Sequence, residues 1–322
     1  MTPSTGVVVG ETSGLCHDRH GGCPHVEFPQ ELTGAALAPG WVGQPSPPGV
    51  AARRHEFGTA SASSYLLTVL GEFVLPRKRP VWTAALTDTL ELLGIEHRAA
   101  RQALARTGAD GLIASAKVGR RAQWTLTVPG RRLLSDGAER IYTFASETPD
   151  WDGEWLVLLV SVPETERGLR RRARSRLAWA GFGSPAPGVW VTPRPQLADE
   201  AREVLADLGL NRSVFSFVGP HAGIGHEPEL VNRAWDVPEI AARYDRFLNT
   251  FADVEPADDT EALLSQIHLV HEWRRFPFLD PQLPTALLPR DWVGRSAREL
   301  FRDKHDAWRD GANARWKLLS AS

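Results

Sequence analysis

Residues 94–107, with the sequence GIEHRAARQALART, carry side chains that suit contact with DNA bases. On a helix, one face collects the polar residues His97, Arg98, Arg101 and Gln102. The opposite face collects the small or apolar residues Ala99, Ala100, Ala103, Leu104 and Thr107. Arginine can donate two hydrogen bonds to guanine, and glutamine can pair in the same way with adenine. The pattern predicts a helix that packs inward and reads a major groove, while Arg106 at its edge contacts a phosphate.

A second basic group follows in a predicted β-hairpin. Residues 112–128 form two short extended runs that turn near residues 118–120. Lys117, Arg120 and Arg121 lie at or beside that turn, where we expect them to contact the DNA backbone or the minor groove. The polar face of the helix in residues 96–106 has an alternative interpretation, in which it does not contact DNA and only keeps the domain soluble.

The distribution of charge favours contact with a polyanion. The 322-residue chain has a formal net charge of −2, which counts mildly against a nucleic-acid-binding protein. Residues 61–145 nevertheless contain twelve basic and seven acidic residues, a local excess of five positive charges. Binding requires a basic surface and not a basic protein, so the local excess is the informative quantity.

The elements that must position these side chains follow the order of a winged helix-turn-helix. Helices are predicted over residues 61–75, 83–93 and 96–106, and Gly94 lies in the turn between the second and the third. The hairpin comes next, and a fourth helix begins at Pro129 and ends near Phe144. This order, together with the position of the charges, assigns residues 61–148 to a winged helix-turn-helix DNA-binding domain.

Two further domains are predicted downstream, so the fold class is α+β multidomain. Residues 149–222 alternate apolar strands with helices, as in a ferredoxin-like sandwich. Its strands and helices are predicted over residues 155–162, 164–180, 189–192, 196–208 and 213–218. Residues 223–322 form an all-α C-terminal domain, with helices predicted over residues 237–251, 259–276 and 296–318.

The first 60 residues are rich in glycine, proline and small polar residues, and we predict a disordered extension. They contain Cys16, Cys23 and three nearby histidines, but the spacing matches no zinc-finger pattern. We therefore expect neither a metal site nor a cofactor. The chain has no signal-peptide pattern and no apolar run long enough to cross a membrane, so we expect a cytoplasmic protein.

A group of four residues on one predicted C-terminal helix could bind a small ligand. The group consists of His271, Trp273, Arg274 and Arg275. The histidine and the arginines could bind a phosphate or carboxylate group, and the tryptophan could line an aromatic pocket. The alternative is that the histidine is structural and that the aromatic residue only packs between helices.

Three stretches of the chain resemble the PaaX family of bacterial repressors of aromatic-acid catabolism. The first is the helix that ends in RQALAR at residues 101–106. The second is WLVLLVSVP at residues 155–163, followed by an arginine-rich helix and GVWVTP at residues 188–193. The third comprises AWDVPEIAARYDRF, HEWRR, DPQLP and LLPRDW, at residues 234–247, 271–275, 280–284 and 287–292. The likeness extends over roughly residues 61–315 in family order, and only the long N-terminal extension departs from the pattern.

The resemblance implies a winged helix, a middle domain similar to Cas2, and a helical domain for effector response and dimerisation. It also implies a homodimer on a palindromic operator, released by an acyl-CoA thioester such as phenylacetyl-CoA. On this reading the protein is a transcriptional repressor and not an enzyme.

Two alternatives of another class remain open. One is an enzyme that handles acyl-CoA, and the other is a Cas2-like nuclease or RNA-binding protein. A metal-dependent nuclease needs a carboxylate at the end of the first middle-domain strand, where this chain has Ser161, Val162 and Pro163. Glu164 follows, in a place where an acidic residue is expected as a helix cap.

Overall fold

The structure is a computed structural model that describes residues 61–145 and 150–321. The N-terminal segment with Cys16 and Cys23, for which we predict disorder, lies outside the described residues. Within the described residues, the chain mixes helices with two antiparallel sheets.

The first part of the described chain contains four helices and a small sheet. The helices are α1 (Ala62–Val69), α2 (Thr83–Leu92), α3 (His97–Ala109) and α4 (Val128–Thr143). The strands are β1 (Val81–Trp82), β2 (Ile113–Val118) and β3 (Arg121–Leu126), in the order β1-β3-β2. The predicted hairpin is confirmed, and α3 ends three residues later than expected.

Local chemistry explains where these helices begin and end. The Ser61 hydroxyl accepts a hydrogen bond from the backbone of Ser64, whose side chain returns the contact, which forms a capping box. Gly94 follows α2 with φ of 79°, a conformation that glycine adopts without strain. Thr127 caps α4 through the backbone N–H of Gly130, and Pro129 stands in the first turn.

A π-helical segment (Leu70–Val74) continues α1 without a break. The sequence pattern predicts one regular helix here and does not reveal this change. Such segments are rare and are often found at functional positions in proteins. It carries Glu72.

The second part is a four-stranded antiparallel sheet. It comprises β4 (Glu154–Val160), β5 (Gly183–Ala186), β6 (Val189–Thr192) and β7 (Val214–Pro220), in the order β5-β6-β4-β7. Two helices connect the strands, α5 (Arg167–Trp179) and α6 (Ala198–Asp207). Strand β5 was not predicted because its sequence, GSPA, lacks the β-branched and aromatic residues that are typical of strands.

The third part is helical. Its helices are α7 (Glu227–Trp235), α8 (Val237–Phe251), α9 (Asp259–Trp273), α10 (Phe276–Leu279) and α11 (Gly294–Ala321). Helix α7 was not predicted as a separate element; Asp236, with φ of 52°, separates it from α8. Among the residues that the structure describes, no helix is long and apolar enough to cross a membrane.

The C-terminal helices share hydrophobic cores with both preceding parts. Leu263 and Trp316 lie in one core with Leu66 and Leu104 of the first part. On one face of the four-stranded sheet, Trp155 and Val191 pack with residues of α7 and α8. On the other face, α5 and α6 cover the sheet and form a separate core. The long helices α9 and α11 therefore support the first part directly.

Candidate nucleic-acid interface

Helix α3 separates its side chains as its sequence predicts. Four residues are buried, which are Ala100, Ala103, Leu104 and Thr107, and Ala99 is half-buried. The polar residues are exposed, and these are His97, Arg98, Arg101, Gln102 and Arg106. Ala100 and Ala103 are completely buried, so α3 approaches the neighbouring helices closely.

The exposed polar residues of α3 make almost no hydrogen bonds or ion pairs with the part of the chain that the structure describes. Among the described residues, His97, Arg98, Arg101 and Gln102 have no hydrogen-bond or ion-pair partner. Arg106 is the exception, since its guanidinium donates to the Ser63 hydroxyl over 3.3 Å. We call His97, Arg98, Arg101 and Gln102 the α3 stripe. It presents two permanent positive charges and one amide to the outside.

The tip of the hairpin presents a second basic group. Lys117, Arg120 and Arg121 are exposed, and Gly119 turns the chain with φ of 61°. The Arg121 guanidinium lies 4.2 Å from the centre of the Trp82 ring, a cation–π contact that orients this side chain. Lys117 and Arg120 have no hydrogen-bond or ion-pair partner in the part of the chain that the structure describes.

Specific contacts anchor the hairpin to the helices. The Trp124 indole donates to the Thr83 hydroxyl over 3.0 Å, which connects β3 to α2. At the other end, a Cβ added at Gly130 would lie 1.9 Å from the Leu112 carbonyl oxygen. Only glycine permits this close approach between α4 and the start of the hairpin. The hairpin and α4 are therefore held together.

Not every basic residue of this part faces outward. The Arg77 guanidinium donates to the Phe73 carbonyl oxygen over 2.6 Å and to Asn313 over 2.5 Å. Burial lowers the pKa of Arg77, and the charge of Glu72 acts in the opposite direction. Arg77 thus links the first part to α11, and the local excess of charge overstates what is available for DNA.

The four residues predicted to bind an effector lie mostly in the interior. His271, Trp273 and Arg274 are buried, and Arg275 forms an ion pair with Glu272 at 3.1 Å. The His271 ring stacks on Tyr65 with centres 3.8 Å apart. This burial agrees with the alternative interpretation, in which the histidine is structural and the tryptophan packs between helices. A role of the four residues in effector binding remains a prediction.

Burial also shifts the pKa values of His271 and Arg274. It lowers the pKa of His271 from 6.5 to about 3, and the nearby Arg274 charge acts in the same direction. Burial, with the adjacent Arg275, lowers the pKa of Arg274 to about 10. His271 is therefore neutral at neutral pH. The Nδ1 atom of this ring lies 3.1 Å from the Thr68 hydroxyl, within hydrogen-bond distance.

A partly buried polar cluster connects the first part to the C-terminal helices, and no sequence pattern revealed it. Glu72 Oε1 lies 2.7 Å from His305 Nε2 and accepts a hydrogen bond from the Gln266 amide over 2.6 Å. The Tyr142 hydroxyl donates to the other carboxylate oxygen. The available signal was a single acidic residue, Glu72, in an otherwise apolar run.

Glu72 is charged in this cluster despite its burial. Burial acts to raise the pKa of the carboxyl group. Hydrogen bonds from His305, Tyr142 and Gln266, with the charge of His305, outweigh burial and hold the pKa below its ordinary value. The cluster therefore places a carboxylate between four elements, namely the π-helical segment, α4, α9 and α11.

Comparison with known proteins gives a consistent result along the chain. A family model described as PaaX-like protein matches residues 61–130. The model of the PaaX protein central Cas2-like domain matches residues 148–231, and that of the PaaX-like protein C-terminal domain matches residues 235–318. The three matches follow one another in the order expected from the sequence.

The chain is also similar to individual proteins. It is 31% identical over 251 residues to Transcriptional repressor PaaX of Escherichia coli strain K12, covering 74% of this chain and 78% of the relative. The solved structure of uncharacterized protein Rv0674 from Mycobacterium tuberculosis has a TM-score of 0.56 at 22% identity, covering 79% of this chain and 98% of that one. At this identity the solved structure supports the fold alone. The chain belongs to the PaaX family.

Proposed function

We propose that this protein is a DNA-binding transcriptional repressor of a catabolic operon for an aromatic acid. The observation that carries the proposal is the α3 stripe, whose cations and amide are exposed and have no partner among the described residues. An unpaired basic face on a tightly packed helix suits an anionic partner outside the molecule. The name of the Escherichia coli relative favours a repressor over the enzyme alternatives.

In this proposal residues 61–148 form a winged helix-turn-helix, with α3 as the recognition helix and β2–β3 as the wing. Arg98, Arg101 and Gln102 contact base edges in the major groove, and His97 lies at the start of the same face. Contacts to the phosphate backbone come from Arg106, Lys117, Arg120 and Arg121. Residues 149–222 form the ferredoxin-like, Cas2-like domain, and residues 223–322 form the helical domain for effector response.

The proposed assembly is a homodimer on a two-fold symmetric operator. An exposed apolar patch at the β7 edge of the four-stranded sheet supports self-association. Phe215 and Phe217 on β7 are 69% and 60% exposed, and Leu159, which pairs with Phe215, is 40% exposed. Since β7 is an edge strand, a second copy can approach it with two-fold symmetry.

Release from the operator is proposed to follow binding of an acyl-CoA thioester in the cytoplasm. An effector can only shift the protein towards a state that it binds more tightly. A dimer geometry with the wrong spacing between recognition helices would have lower affinity for two half-sites one helical turn apart.

The proposal is tested with a fluorescent DNA fragment from the protein's own upstream region. Arg101→Ala removes one base contact and is expected to weaken specific binding about ten- to hundredfold at fixed salt. Arg290→Ala is the matched control, because Arg290 is exposed outside the proposed interface and lacks an ion-pair partner among the described residues. Equal binding by both variants and the wild type, or turnover of an acyl-CoA without specific DNA binding, would overturn the proposal.

A further inference from the structure

A small cavity opens between α4, α9 and α11, close to the polar cluster around Glu72. Its volume is about 130 Å³. An apolar cavity of about 150 Å³ in another protein is known to accept benzene, so a single aromatic ring is of the right size. Of the four residues that the sequence suggested for effector binding, only Trp273 lines this cavity.

Aromatic side chains form one wall of the cavity. The Trp273 and Phe301 rings are stacked, with centres 4.7 Å apart and an angle of 11° between their planes. Phe144, at the C-terminal end of α4, meets Trp273 edge-on at 5.9 Å. Trp273 and Phe301 are only 1% and 5% exposed, so a small part of each ring borders the cavity and forms a rigid apolar surface there.

Arginine side chains of α11 form the other wall. Arg298, Arg302 and Arg309 line the cavity and lie on one face of the helix. Arg302 is paired with Asp303 at 3.2 Å, and Arg309 is paired with Asp306, which also lines the cavity. In contrast, Arg298 has no ion-pair or hydrogen-bond partner among the described residues. A half-buried, unpaired guanidinium is suited to a carboxylate or phosphate group.

We propose that this cavity is the effector site, and that it binds an aromatic ring against Trp273 and Phe301 and the carboxylate or thioester oxygen beside that ring at Arg298. A free aryl carboxylate carries its anionic oxygen atoms close to the ring. An aryl-CoA thioester offers Arg298 an uncharged carbonyl oxygen in the same place, and its phosphates lie outside the cavity, beyond the pantetheine arm. This assignment rests on the proposed function, because it locates the site for the ligand that would release the protein from its operator.

The position of the cavity connects it to the proposed DNA-binding part. Tyr142 and His305 both line the cavity, and both contact the Glu72 carboxylate on the π-helical segment that continues α1. Tyr142 belongs to α4, whose first turn is fixed against the hairpin through Gly130. A ligand that displaces Tyr142 or His305 therefore alters contacts of two elements that support α3 and the hairpin.

The test uses the full chain and three probes, phenylacetyl-CoA, phenylacetate and CoA alone, measured by isothermal titration. We expect one aryl probe to bind and CoA alone not to bind. The aryl probe that binds shows whether Arg298 contacts a carboxylate or a thioester carbonyl. Arg298→Gln should weaken that binding about ten- to hundredfold by removing a charge-assisted contact. Arg295→Gln, an exposed residue of the same helix that does not line the cavity, should leave the binding unchanged.

Hydrogen–deuterium exchange with the same probes gives a second readout that does not depend on a variant. Ligand should protect residues 141–144 and 298–309 from exchange. Unchanged affinity in Arg298→Gln, protection only elsewhere in the chain, or no binding of either aryl probe would overturn this assignment. Operator binding without ligand is measured in the same samples; if it persists, the repressor proposal stands although the cavity assignment has failed.

Discussion

The α3 stripe and the group at the end of α9 each contain one histidine and two arginines, but their surroundings differ. We call the second group, which consists of His271, Trp273, Arg274 and Arg275, the interior group. Arg98 and Arg101 are exposed and have no partner among the described residues, whereas Arg274 is buried and its pKa is lowered to about 10. His97 is exposed, whereas His271 is stacked on Tyr65. Residue type alone therefore does not identify a binding surface. The partner of a basic side chain lies outside the molecule only where the fold leaves that side chain exposed and unpaired.

We therefore expect substitutions in the interior group to lower stability, and substitutions in the α3 stripe to lower operator affinity. Trp273→Ala should lower the free energy of unfolding by about 3–5 kcal/mol, because it removes a completely buried ring from an aromatic core. Urea unfolding followed by circular dichroism measures the loss. A loss below about 1 kcal/mol would mean that the interior group is not structural.

The α3 stripe should show the reverse behaviour. Arg98→Ala and Gln102→Ala should each cost about 1–3 kcal/mol of operator binding at one base position and relax the preference there. Their free energies of unfolding should stay within about 0.5 kcal/mol of the wild type, as for other exposed positions. Binding to a set of operators with single base changes, together with urea unfolding, measures both. A uniform loss across all sequences would assign these residues to the backbone instead.

The protonation of His271 sharpens the contrast further. Since its pKa falls from 6.5 in the unfolded chain to about 3 in the folded one, the unfolded state takes up a proton first as the pH is lowered. Its contribution to the free energy of unfolding should fall by about 1 kcal/mol between pH 7 and pH 5.5. His271→Asn should remove this part of the pH dependence in urea titrations. An unchanged slope with pH would show that His271 is not buried in the neutral form.

The smallest expected effect lies at the hairpin tip. Lys117→Ala should weaken binding to all DNA sequences alike and reduce the slope of log affinity against log salt by about one, because it removes a single phosphate contact. Affinities measured at several salt concentrations on specific and unrelated DNA test this. Loss of affinity confined to one operator sequence would place Lys117 at a base.

Local patterns could be predicted from the sequence better than contacts between distant segments, and the reason is physical. A helix with alanines on one side and arginines on the other can be recognised from periodicity alone, as the burial of Ala100 and Ala103 illustrates. Glu72 and His305 are 233 residues apart, so their contact depends on how α11 packs against the first part of the chain. Periodicity carries no information about such distant contacts.

The same limit applies to the cavity. Arg298 and Phe301 were not suggested as ligand contacts, because each occurs in an ordinary amphipathic stretch of α11. Their relation to Trp273 and Phe144 arises only when α4, α9 and α11 come together. The four-residue group at 271–275 attracted attention because its residues are adjacent in sequence, although the fold buries most of them.

The most direct test of the account is a triple variant that converts Arg98, Arg101 and Gln102 to alanine. Its operator affinity and its free energy of unfolding are measured on the same preparation. We predict at least a hundredfold loss of operator affinity with a free energy of unfolding within about 0.5 kcal/mol of the wild type. Operator binding that survives the three substitutions in a folded protein would contradict the account.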